Sequence, residues 1–272
     1  MSGSGTKGPR FPLRLDQIGS PRAPSGAEVL RPQAPLQQAH ADATRQRTPS
    51  GLGLDSADVR RHMVQRLRAQ GLHHEAVLAA LAGVPRHAFV DAALATQAYE
   101  DTSLPIGLGQ TISKPSVVGR MLELLMHGER ARGAGSLGRV LEIGTGCGYQ
   151  AAVLAQLSRS VVSIERLKPL HDKARQNLAP WRMANLRLVY GDGMRGHPPN
   201  APYDSIIAAA GGEALPPAWL EQLAVGGRLV APLQEPRTHR QVLVVVDRND
   251  RGFEHSVHET VKFVPLKSGL GD

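Results

Sequence analysis

Apolar residues recur along this chain with two periods, and the switches between them mark its elements. Asp55 and Ser56 offer capping oxygens for a helix from about Ala57 to Gln70, with Gly71 as its stop. His73 to Leu81 reads as a second, shorter helix ended by Gly83 and Pro85, and a glycine-rich loop covers Leu104 to Ser113. Pro115 suits a first helical position, and Val117, Val118, Met121, Leu124 and Leu125 then share one helical face. Beyond that point short apolar runs alternate with helical stretches. Strands are expected at Arg139–Ile143, Val161–Glu165, Leu186–Tyr190 and Tyr203–Ala209, with helices at Tyr149–Leu157, Leu167–Leu178 and Leu215–Leu223. Arg228–Pro232, Gln241–Asp247 and Val257–Val264 read as three closing strands with no helix between them. Strands alternating with helices make a mostly parallel sheet covered on both faces, and the helix-free end predicts an antiparallel edge. The fold class is α/β, doubly wound, preceded by short N-terminal helices.

Composition divides the chain. Residues 1–53 hold seven prolines and seven glycines but only eight Leu, Ile, Val or Phe, and their seven basic against three acidic residues leave +4. So few apolar groups cannot offset the entropy of ordering a chain, so this stretch reads as a disordered basic extension. The domain proper is expected over 54–272. Its part 54–115 supplies N-terminal helices and a substrate loop, and 116–272 supplies a cofactor-binding α/β core. No stretch approaches the roughly 18–20 apolar residues that span a bilayer, and no apolar secretory core opens the chain. A cytoplasmic location is expected. The single cysteine, Cys147, excludes an internal disulfide and any multi-thiolate metal site. With no H-E-x-x-H and scattered histidines, no metal is expected.

The chemistry concentrates where strands end. Val140-Leu141-Glu142-Ile143-Gly144-Thr145-Gly146-Cys147-Gly148-Tyr149 joins the first parallel strand to its helix, and glycines at 144, 146 and 148 let the backbone turn sharply beside a ligand. A dinucleotide fingerprint wants its third glycine at 149, where Tyr149 stands. Glu165 ends the second strand, either as a carboxylate accepting from two ribose hydroxyls or as an exposed strand-end residue. Gly191-Asp192-Gly193 closes the third strand, as a further ligand contact or a plain turn. Together they describe a nucleoside crevice. No glycine-lysine-serine phosphate loop is present, so S-adenosyl-L-methionine, which has a ribose and an adenine but no phosphates, fits better than ATP.

Leu104-Pro105-Ile106-Gly107, Gly109-Gln110-Thr111-Ile112-Ser113, Val140 to Gln150, Ser163 to Arg166, Gly191 to Gly193 and Phe263-Val264-Pro265-Leu266 together resemble the protein-L-isoaspartate O-methyltransferases, over roughly Arg60 to Leu266. The resemblance implies a Rossmann-like class I methyltransferase fold. It also implies methyl transfer from S-adenosyl-L-methionine to the α-carboxyl of L-isoaspartyl residues in damaged proteins, after which the ester collapses to a succinimide and part returns to aspartate. By the same resemblance Ser113 is the active-site residue, with Ile106, Gln110, Thr111 and Ile112 near the substrate. The cofactor set is Glu142, Gly144, Thr145, Gly146, Gly148, Tyr149, Glu165, Asp192 and Gly193. Taken by itself, Ser113 also reads as an N-cap ahead of Pro115. The family pattern is broken at Lys114-Pro115-Ser116, at Ala208 to Gly212 and at Met194, all near the rim of the site.

An already ionised carboxylate attacking a sulfonium methyl needs no strong base, so no catalytic triad is expected. A methyltransferase retargeted to RNA and a basic nucleic-acid adaptor with a vestigial domain are the alternatives, encouraged by a pI of about 10.1. Ala209-Ala210-Gly211-Gly212 lacks the Asn or Asp, paired prolines and aromatic that amino-directed DNA enzymes carry, and Glu165, Asp192 and Ser113 are intact. Isoaspartyl proteins are therefore the expected partners of a monomeric enzyme, without membrane or nucleic acid.

Overall fold

The computed structural model describes residues 57–235 and 238–271. The extension over 1–53 and the capping residues Asp55 and Ser56 lie outside them.

Helix α1 (Ala57–Ala69) places Met63 and Leu67 four residues apart on its buried face, with arginines on the outside. Gly71, at φ +99°, turns the chain into α2 (Glu75–Gly83), which buries Val77, Leu78, Ala80 and Leu81. Short 3₁₀ turns follow at Arg86–Phe89 and Ala92–Gln97. They carry a fully buried guanidinium: Arg86 donates to the carbonyls of Ala98 (2.7 Å) and Thr102 (3.3 Å) and lies 5.0 Å from the ring centre of Tyr149. That cation fastens the N-terminal segment to the helix behind the glycine loop.

The stretch expected as a loop over 104–113 is instead an antiparallel hairpin, β1 (Leu104–Gly107) and β2 (Gln110–Ile112). Its two tip residues, Leu108 and Gly109, are both left-handed at φ 54° and 68°, the twist that lets two strands meet across a two-residue turn. Next come α3 (Pro115–Met126) and α4 (Glu129–Ala134). The N-cap of α3 is Lys114 in extended backbone, so Ser113 sits one residue too early to cap it. Asp101 supplies that acceptor from outside, taking the N–H of Ser116 at 2.9 Å and its hydroxyl at 2.8 Å.

The core alternates β3 (Arg139–Ile143), α5 (Tyr149–Leu157), β4 (Ser160–Glu165), α6 (Lys168–Leu178), β5 (Leu186–Tyr190), β6 (Tyr203–Ala208), α7 (Pro217–Gln222), β7 (Leu223–Gln234), β8 (Gln241–Asn249) and β9 (Gly252–Val261). The seven strands lie in the order β5-β4-β3-β6-β7-β8-β9, and β8 alone runs antiparallel to its neighbours, β7 and β9. Val140 and Val161 face one apolar cluster while Leu141 and Val162 face another, so both faces of the sheet are dry. The strand order reverses at β3, which makes the carboxyl ends of β4, β3 and β6 a crevice. The last strand lies earlier than expected: it ends at Val261 because Val264 leaves the sheet to accept a hydrogen bond from Gly211. Among the described residues no helix is long and apolar enough to cross a membrane.

Candidate active site

A cavity of about 570 Å³ opens at those strand ends, within the range of small-molecule sites. Its floor is Gly144, Thr145, Gly146, Cys147 and Tyr149; Ile164 and Glu165 form one wall, and the hairpin residues Ile106, Gln110, Thr111, Ile112 and Ser113 form another. Gly193 also reaches it. The glycine loop and the hairpin, forty residues apart in sequence, thus face one space.

The loop owes its shape to its glycines. Gly144, Gly146 and Gly148 all have positive φ, at 93°, 57° and 92°. At Gly148 a Cβ would also lie 2.8 Å from Cδ1 of Leu178, so any side chain would push the loop off α6. Asn177, on that helix, donates to the carbonyl of Cys147 at 2.9 Å, and four residues earlier Lys173 donates to the carbonyl of Ile106 at 3.2 Å. One face of α6 therefore holds both the loop and the hairpin.

Glu165 is buried rather than exposed, at 5% of its free surface. Its Oε2 accepts from the N–H of Gly146 and its Oε1 from that of Leu167, each at 2.9 Å. A carboxylate has about four acceptor positions, so two remain unused on a residue that lines the cavity. Behind the loop runs a buried polar chain. Glu142 Oε2 bonds the Ser163 hydroxyl at 2.5 Å, and that hydroxyl bonds Thr145 Oγ1 at 2.6 Å. Burial pushes the Glu142 carboxyl up to about 8, although Ser163 and Gln150 both favour its charged form. Its Oε1 makes no hydrogen bond of normal geometry, and Glu142 stands behind the cavity wall rather than in it.

Ser113 lines the cavity, and its hydroxyl has no hydrogen-bond partner among the described residues. Gln110 is partly occupied, donating to Leu108 O at 3.3 Å. Tyr149 is buried against Arg86, and burial pushes its hydroxyl up to about 12. The Cys147 thiol is raised by the same cause, which suits a space-filling group rather than a nucleophile. Asp192 does not join the cavity wall: its Oδ1 accepts from Met194 N at 2.9 Å and its Oδ2 from Gly269 N at 2.8 Å. Among the described residues no group of three or more His, Cys, Asp or Glu is arranged to hold a metal ion.

Sequence reasoning gave no site role to Val264–Lys267, which complete the wall beside Ala209 and Ala210. The signal was a mixed one. Residues 263–266 belong to the resemblance, while Val264 also extends an apparent strand pattern. Of the three charged side chains on the wall, Glu165 is bonded as described and Arg166 donates to Gly269 O at 2.9 Å. Lys267 has no partner among the described residues.

The cavity suits a nucleoside cofactor on its own terms: a glycine-rich turn at Gly144 and Gly146 on its floor and the buried carboxylate of Glu165 beside it. Comparison with known proteins agrees. Residues 58–271 match the family described as protein-L-isoaspartate(D-aspartate) O-methyltransferase. The chain is 62% identical to the protein-L-isoaspartate O-methyltransferase of Methylibium petroleiphilum over 99% of both chains, and 62% identical to that of Leptothrix cholodnii over 97% of this chain and 95% of the other. A solved protein-L-isoaspartate O-methyltransferase, 27% identical, superposes with a TM-score of 0.69 over 78% of this chain and 67% of its own. The fold is also that of a Plasmodium falciparum protein solved with S-adenosyl-L-homocysteine, at 23% identity and a TM-score of 0.65, over 76% of this chain and 98% of that one.

Proposed function

The chain belongs to the protein-L-isoaspartate(D-aspartate) O-methyltransferase family, and from that premise we propose how its own residues carry the reaction. The protein transfers a methyl group from S-adenosylmethionine to the α-carboxyl of L-isoaspartyl residues, which opens the route through a succinimide back toward aspartate. When bound, the cofactor supplies an electrophilic methyl on a sulfonium. The cradle at Gly144, Thr145, Gly146 and Tyr149, shaped by Gly148 against α6, would hold it, and the remaining acceptor positions of Glu165 would take the ribose hydroxyls. Gly193 lets the backbone close in below. Glu142 acts from behind, fixing Thr145 through Ser163.

The substrate carboxylate is ionised at neutral pH, so no residue has to remove a proton. Orientation is the remaining task, and holding the reacting groups in line is worth several powers of ten in rate. The free hydroxyl of Ser113 orients the carboxylate, with Gln110 and Thr111 beside it and Ile106 and Ile112 excluding water. Residues 54–115 then act as the substrate-facing part and 116–272 as the cofactor core. We read the enzyme as a cytoplasmic monomer acting on proteins and peptides without nucleic acid, in keeping with a substrate class that is itself protein.

The observation that carries this reading is the meeting of the Ser113 hairpin and the 144–149 loop across one cavity. Labelled S-adenosylmethionine offered to an isoaspartyl peptide and to its aspartyl twin should give base-labile label on the isoaspartyl peptide alone. Label on both peptides, or on neither, would remove the assignment. Ser113→Ala should lower turnover by about tenfold or more while cofactor affinity holds, since one oriented hydrogen bond is lost. Unchanged turnover would demote Ser113 to a wall residue.

A further inference from the structure

The hairpin ends in an exposed apolar knob at the mouth of the cavity. Leu108 is 52% exposed and belongs to neither apolar cluster, yet it lines the cavity with Gly109 and Gln110. Val225, Phe253, Val257 and Leu270 are the other large apolar side chains exposed among the described residues, and none of them reaches the cavity.

The backbone makes this placement costly. Gly107, Leu108 and Gly109 run through three successive positive φ values, 101°, 54° and 68°. Glycine adopts such angles freely, whereas a Cβ is crowded by the following carbonyl oxygen, and Asn or Asp is the usual choice where a side chain is present. Leu at 108 therefore serves the turn less well than Asn or Gly would, and it leaves an isobutyl group in water. A Cβ added at Gly107 or Gly109 would meet nothing within 4 Å, so the tip stands clear of the rest of the fold. Packing within the described chain offsets little of either cost.

The knob is nevertheless held in place. Gln110 Nε2 donates to Leu108 O at 3.3 Å, and Lys173 donates to Ile106 O, two residues before the knob, at 3.2 Å. An apolar group fixed in this way loses little freedom when it is covered. Strand β2 links the tip to Ser113. Four residue steps from Ser113 back to Gly109, at about 3.3 Å each, put the knob roughly 13 Å from the carboxylate that Ser113 orients. An extended peptide rises by the same amount per residue. A substrate lying along β2 with its isoaspartyl residue at Ser113 thus presents to Leu108 the side chain three or four positions away.

We propose that Leu108 is a specificity residue: it packs against an apolar side chain three or four positions from the isoaspartyl residue, so that the enzyme prefers substrates apolar at that distance. The inference rests on the isoaspartyl reading of the cavity and extends it from the damaged residue to its neighbours.

The test uses the full chain and isoaspartyl peptides carrying Leu or Ser three and four residues from the damaged site, N-terminal to it in one set and C-terminal to it in the other. In one set the Leu peptides should show a KM about fivefold below that of their Ser counterparts, the effect of taking part of an apolar side chain out of water. Leu108→Asn should bring that ratio close to one, and Leu108→Met, which keeps an apolar group, should retain most of it. Leu108→Asn should also raise Tm, because Asn suits the left-handed position and exposes no isobutyl group. A loosened hairpin would not gain stability while losing the preference. Equal KM values for Leu and Ser peptides in both sets overturn the proposal. So does a preference that survives Leu108→Asn, which would place apolar recognition on another residue. If no isoaspartyl peptide is methylated at all, the reading of the site fails along with the knob, whereas the other two failures leave that reading intact.

Discussion

Lys267 and Glu142 show how differently charge works at the two depths of this site. Lys267 is exposed, stands on the cavity wall and has no partner among the described residues, which leaves its ammonium available to a substrate carboxylate. An exposed ion pair is worth up to about 1 kcal/mol, so Lys267→Ala should raise KM for an isoaspartyl peptide by up to about fivefold. The increase should shrink as salt is added, because screening already weakens the pair. A KM that is unchanged at low salt would show that the ammonium never meets the substrate. Glu142 is buried and holds its proton up to about pH 8, whereas in the unfolded chain it releases it near 4.5. Between those values the folded state binds more protons, so this group makes stability fall as pH rises through the window. Glu142→Gln should flatten that part of the pH–stability curve and gain as much as roughly 4 kcal/mol at pH 8. A slope that survives the substitution would assign the effect to another group. Glu142 was legible as part of the loop motif, but its distance from the cavity was not. Strand alternation puts its side chain beneath the loop, and only the sheet register, Glu142 opposite Ser163, reveals what it touches.

Among the elements, helices and parallel strands were legible because their periods were. The strand at Leu186–Tyr190 has the boundaries the apolar run implied, and α5 begins at Tyr149 as expected. The hairpin was not legible. Leu108-Gly109 is a poor sequence signal for a left-handed two-residue turn, which usually announces itself as Asn-Gly or Asp-Gly. β9 was misplaced for a related reason. Val257 is 66% exposed on an edge strand, so the apolar pattern that usually bounds a strand carries no information there. What the hairpin needs is an anchor, and α6 supplies one through Lys173. Lys173→Met keeps the apolar stem and deletes the bond to Ile106 O. It should lower kcat/KM for the peptide by about fivefold, and Lys173→Arg should recover much of that, since a bond from a charged donor contributes on the order of 1–3 kcal/mol. If Met at 173 leaves kcat/KM untouched, packing of Ile106 over the glycine loop holds the hairpin without help.

At the scale of the molecule, strand alternation announced a doubly wound sheet but could not order its strands, because order depends on which face each crossover helix takes. The observed order makes the crevice a junction. The N-terminal segment reaches it through the hairpin, the core through the glycine loop and the last residues through Val264–Lys267. A ligand seated there would touch the hairpin, the glycine loop and the last residues together, so it should stabilise them as one unit. At a hundredfold excess over Kd, S-adenosyl-L-homocysteine should add about 2.7 kcal/mol. For a domain of this size each kcal/mol moves Tm by about 2–4 °C, giving a rise of roughly 5–11 °C in a single transition. Ser113→Ala should show the same rise, because the role proposed for its hydroxyl is toward the substrate rather than the cofactor. Two transitions with only one shifted would mean that α1 and α2 melt apart from the sheet, and the buried Arg86 above Tyr149 would then be too weak a clasp to join them.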